Sequence, residues 1–123
     1  MTNRFIYAAL LSSILMAPAF AAAQVAIPTI EITPTTTGVT ISGVVAGLSS
    51  GTINAEMTIT KQDGSSSVNS SQSRQIQVSH DSRDIVATTR LSVGPNAHVH
   101  VILKLKENNT VIAQSQTEIG TGD

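Results

Sequence analysis

The chain has 123 residues, a formal net charge of −1, 12% charged residues and no cysteine. Without cysteine there is no disulfide framework, no thiolate metal site and no cysteine nucleophile, and the mildly acidic balance argues against a nucleic-acid partner. Its aromatic residues, Phe5, Tyr7 and Phe20, all precede Gln24, so the rest of the chain offers no ring on which a base or a sugar could stack.

The N-terminal segment reads as an address. Arg4 precedes an apolar run over residues 5–16 that is broken only by Ser12 and Ser13, and Pro18 then leads into the alanine-rich residues 19–23. This is the pattern of a secretory signal peptide, residues 1–23, with cleavage expected after Ala21 or Ala23. The run is shorter than the ~20 apolar residues that cross a bilayer, so no membrane association is expected after cleavage. With no cysteine at the cleavage site, lipid attachment is excluded, and a bacterial-style leader directs the chain to the periplasm or the medium. Residues 24–28 are expected to be a short linker, and residues 29–123 one domain, since about a hundred residues can bury one core and not two.

Strands follow one another along this domain. Ile30, Ile32 and their neighbours predict a first strand, ended by Pro34, and Thr35-Thr36-Thr37-Gly38 a turn. Val39, Ile41, Gly43 and Val45 alternate with Thr40, Ser42 and Val44 as a second strand, and Gly47-Leu48-Ser49-Ser50-Gly51 is a loop by composition. A third strand has Ile53, Ala55, Met57 and Ile59 inside and Asn54, Glu56, Thr58 and Thr60 outside, with its turn at Lys61-Gln62-Asp63-Gly64. Residues 65–74 are rich in Ser, Asn and Gln, compatible with a loop or a polar edge strand. Alternation at Ile76 and Val78 predicts a fourth strand from about Gln72 to Val78, with an earlier start left open. After His80-Asp81-Ser82, the residues Ile85, Ala87, Thr89, Leu91 and Val93 alternate with Val86, Thr88, Arg90 and Ser92 as a fifth strand.

A β-hairpin over residues 98–118 completes the count at seven. Val99, Val101, Leu103 and Leu105 alternate with His98, His100, Ile102, Lys104 and Lys106, the period of a strand with one buried face. A two-residue Asn108-Asn109 turn would set Leu103 opposite Gln114 and mix the faces. A three-residue turn pairs Leu105 with Val111 and Leu103 with Ala113, needs one residue at positive φ, and places His98 opposite Glu118; this register is expected. No segment carries a 3.6-residue apolar period, and turn signals recur at the spacing of a sandwich. The expected fold is therefore all-β, a seven-stranded antiparallel immunoglobulin-like β-sandwich lacking the Cys–Trp–Cys signature and tyrosine corner of antibody domains.

Little in this sequence carries catalytic chemistry. His98 and His100 share a strand face and could chelate a metal with His80 as a third ligand, as in a copper-carrying sandwich. No carboxylate or methionine stands at a supporting spacing, so neither a metal nor another cofactor is expected. The serines lack a Gly-x-Ser-x-Gly elbow, and no enzyme activity is expected. More informative is the polar face of the hairpin, where His98, His100, Lys104 and Lys106 form a basic stripe, with Arg90 and Arg74 read as pointing outward on their own strands. Such charges can keep an edge from aggregating, or attract an acidic, extended partner and speed its association.

Together, the block Gly51-Thr52-Ile53-Asn54-Ala55-Glu56-Met57-Thr58-Ile59-Thr60-Lys61, the run from Gly64 to Ser73, Leu91-Ser92-Val93 and Val101-Ile102-Leu103-Lys104-Leu105 resemble the small periplasmic curli-assembly proteins of the CsgC/CsgH type, the CsgH branch in particular. The resemblance covers nearly the whole chain after the leader. It implies a seven-stranded immunoglobulin-like sandwich, and a periplasmic role in keeping the curli major amyloid subunit from polymerising before export. The CsgC branch carries a Cys-x-Cys pair that this chain lacks, so a redox role of that pair does not extend to it. On this reading the chain acts as a monomer without ATP. Lys104, Lys106, Arg90, Arg74 and His100 attract the client, and residues 65–74 offer an adaptable polar edge. The other classes compatible with the sequence are a chaperone or subunit of another surface fibre working by strand addition, and the metal-binding sandwich.

Overall fold

The computed structural model describes residues 13–16 and 25–120. They form β1 (Ser13–Met16), β2 (Ala26–Pro34), β3 (Gly38–Gly47), β4 (Gly51–Asp63), β5 (Ser66–Val78), β6 (Arg83–Ser92), β7 (Ala97–Glu107) and β8 (Thr110–Gly120). One sheet has the order β1-β8-β7-β4-β5 and the other β2-β3-β6, and all the pairings are antiparallel. The strands β2 to β8 are the seven expected, and they build the immunoglobulin-like sandwich. The expected leader lies outside the described residues except for β1, which adds a strand beside β8.

The core is aliphatic because the inward parity of the central strands is. Met57 faces Leu103, Ala55 faces Leu105 and Ile59 faces Val101 across β4 and β7, and all six are buried. From the second sheet Ile41 and Val45 of β3 close over them. Each such Val, Leu or Ile contributes roughly 1.5–3 kcal/mol on burial.

Three expectations are corrected, and of the two readings open for residues 65–74 the polar edge strand holds. Strand β2 starts at Ala26, inside the expected linker, and Ala26 is fully buried; Pro28 does not prevent this because β2 is an edge strand, where a missing N–H can be spared. Residues 65–74 belong almost wholly to β5, which pairs with β4 from Ser66 to Val78. A polar strand on an edge has little buried surface, so its alternation is invisible in sequence. The connecting turn is Gly64-Ser65, with Gly64 at φ 65°, as a type II′ hairpin turn requires. In β6 the alternation breaks at a bulge, where the register shifts between Gly43 and Val44 of the partner strand. Val86 is consequently buried and Ile85 is exposed.

The hairpin is corrected most. Asn108 and Asn109 form a two-residue turn, both at positive φ (51° and 65°), the type I′ geometry whose twist matches the flanking strands and which asparagine tolerates. Face mixing is avoided by a bulge at Ile112 rather than by a longer turn. Lys106 pairs with Val111, but Leu105 pairs with Ala113, Leu103 with Ser115 and Val101 with Thr117. His100, not His98, then stands opposite Glu118, and His98 stands opposite Gly120.

This register buries Ser115 in the core, where among the described residues its hydroxyl has no hydrogen-bond partner. An unmatched buried hydroxyl costs about 1–3 kcal/mol, so Ser115→Ala is expected to raise the unfolding free energy by about 1 kcal/mol in urea denaturation. A loss of stability would overturn that account of the hydroxyl.

Candidate functional site

The outer face of the larger sheet presents His98, His100, Ile102, Lys104 and Lys106 from β7, opposite to the buried Val99, Val101, Leu103 and Leu105. The expected basic stripe is therefore formed on β7, but its surroundings change its charge. Glu56 of β4 is the register partner of Lys104, and its Oε1 lies 3.4 Å from Lys106 Nζ. Glu118 stands beside His100, whose Nε2 is 3.1 Å from Gln116 Oε1. The face thus carries two lysines, both near Glu56, and a second glutamate, Glu118, beside His100, so it has charged groups of both signs. Lys106 is already matched by Glu56, and Lys104 forms no ion pair with the described residues. Lys104 is the cation that this face leaves available.

The two arginines are not part of this face. Arg90 pairs with Thr40 on the outer side of β2-β3-β6, so the whole thickness of the sandwich separates it from Lys104. Arg74 was expected to point outward, but it shares the parity of Ile76 and Val78 and faces the second sheet; its Nη1 donates to the carbonyl of Ile85 in β6. Gln72, on the same parity, donates from Nε2 to Thr89 Oγ1 at 3.1 Å, and Lys61 donates from Nζ to the carbonyl of Ser92 at 2.9 Å. These three side chains form a polar seam that ties the open side of the larger sheet to β6. Sequence reading missed the seam, although the even spacing 72, 74, 76, 78 was its signal.

The histidines do not converge. His80 follows β5 near the start of β4, where it lies 3.2 Å from Asp81. His98 faces Gln62 near the end of β4, roughly 35 Å away at strand spacing. His98 and His100 border a shallow recess of about 520 Å³ with Thr60, Gln62 and Glu118, and no group of three metal-ligating side chains forms among the described residues. The three-histidine metal site is thus not assembled.

Fold and site together define an aliphatic immunoglobulin-like sandwich whose most distinctive surface is a strand face with charges of both signs. No family model matches the chain, and no curated protein matches it. Among solved structures it is similar to the solution structure of R. palustris CsgH, with a TM-score of 0.58 and 15% sequence identity over 76% of this chain and 90% of that one. At that identity the likeness is one of fold. It falls on the same type of protein that the sequence resembles.

Proposed function

We propose that this chain is a periplasmic, ATP-independent inhibitor that keeps a curli-type major amyloid subunit from polymerising prematurely, acting as a monomer after its leader is removed. The observation that carries this reading is the match of fold to R. palustris CsgH over 90% of that protein, joined to the sequence resemblance. The chemistry is compatible. Amyloid grows by adding strands to exposed edges, and a soluble sandwich can meet such ends or early oligomers transiently without nucleotide hydrolysis. Lys104, with Lys106 and His100 beside it, supplies the attraction for an acidic extended client, and β5 offers a polar edge of thirteen residues whose only charge is Arg74.

The test is a thioflavin-T time course of purified curli subunit with this protein added well below equimolar. The lag is expected to lengthen severalfold, which at such a ratio means that rare species, nuclei or ends, are the target. An unchanged curve would overturn the reading.

A further inference from the structure

The edges of the two sheets are not equally protected. In β2 Pro28 and Pro34 interrupt the row of donors. In β6 the carbonyls of Ile85 and Ser92 already accept Arg74 and Lys61. β5 lacks proline and carries Arg74 as its one charge, but among the described residues no segment pairs along its outer edge. β8 contains no proline, glycine or charged residue from Thr110 through Thr117, and it is the edge against which another segment of the chain is seated. Ser13 pairs with Gln116, Ile14 with Ser115, Leu15 with Gln114 and Met16 with Ala113, antiparallel. The seated segment is short, uncharged and aliphatic at its centre, as Ser13-Ile14-Leu15-Met16 reads.

We propose that the edge of β8 over residues 113–116 is a strand-docking site for an extended, uncharged aliphatic segment of a partner polypeptide, and that Ser13–Met16 is its built-in occupant in the full-length chain. Main-chain hydrogen bonding supplies the attachment, as in strand addition generally. The absence of charge over residues 110–117 of β8 favours a partner segment without Lys, Arg, Asp or Glu. Loss of the leader would then uncover the site, so that the precursor is self-blocked and the processed chain is competent. The inference goes beyond the proposed function and does not depend on the partner being an amyloid subunit.

The test is residue-resolved amide exchange on the full-length chain and on its Ile14→Pro/Leu15→Pro variant, whose prolines cannot donate to β8. Alternate amides within 113–116 are expected to exchange severalfold faster in the variant, while β4 and β7 keep their protection. A synthetic peptide of residues 12–17 added to the variant should restore protection at those amides, and the same peptide with Ile14→Lys and Leu15→Asp should not. Unchanged exchange at 113–116 in the variant would overturn the proposal. So would loss of protection throughout the sandwich, restoration by the charged peptide, or protection of those amides by self-association of the variant.

Discussion

Leu103→Ala is expected to lower the unfolding free energy by about 2–5 kcal/mol, measured by urea denaturation. Leu103 is fully buried, faces Met57 across β4 and β7, and packs on the bare Cα of Gly43, where an added Cβ would lie 3.4 Å from Leu103 Cδ2 and 2.9 Å from Met57 Sδ. Two sheets meet at that point, and the branched aliphatics around it have few rotamers with which to refill the space. A domain of this size holds only ~5–10 kcal/mol of net stability, so the variant should sit near the edge of folding. Ile102→Ala, one residue along on the outer face, should cost far less. Equal losses would overturn the assignment of the two faces of β7.

Lys104→Glu/Lys106→Glu is expected to abolish the extension of the amyloid lag while the sandwich stays folded, by thioflavin-T kinetics alongside circular dichroism. The substitution turns a face of two lysines and two glutamates into one of four carboxylates, which repels an acidic client. Its structural cost should be small, because the Lys106–Glu56 pair is partly exposed and such pairs contribute about 0–1 kcal/mol. The singles should not be equal. Lys104→Glu removes the available cation and should account for most of the loss, whereas Lys106→Glu removes one that Glu56 already matches. Arg90→Glu, on the opposite sheet, should leave inhibition unchanged. An unaltered lag in the double variant, or an equal effect from Arg90→Glu, would sink the proposed face.

Where a strand buries one face, the sequence announces it. The parities of β4 and β7 were readable because Ile53, Ala55, Met57 and Ile59, and Val99, Val101, Leu103 and Leu105, all fill the same core. Residues 65–74 leave loop and strand both open in sequence because their strand lies on an edge and buries little. The hairpin misled for a different reason. Two asparagines can both adopt positive φ, and a bulge at Ile112 restored the faces that a shorter turn would have mixed; neither event leaves a pattern in local hydrophobicity. The candidate site was half legible. The lysines and His100 shared a parity, but the partnership of Glu56 with Lys106 depends on how strands distant in sequence lie side by side. Arg74 and Arg90 join them by charge and by an outward parity read on each strand separately. That parity does not say which sheet a strand enters, and the sandwich sends the three groups to three different places.

The absence of aromatic residues after Tyr7 and Phe20 has an optical consequence. A core built from Val, Ile, Leu, Ala and Met neither absorbs at 280 nm nor fluoresces, so a chain that starts at Gln24 is dark throughout the near ultraviolet. In a mixture with any tyrosine- or tryptophan-bearing partner, every photon of intrinsic emission belongs to that partner. Its environment on encounter can then be followed without a label on either molecule.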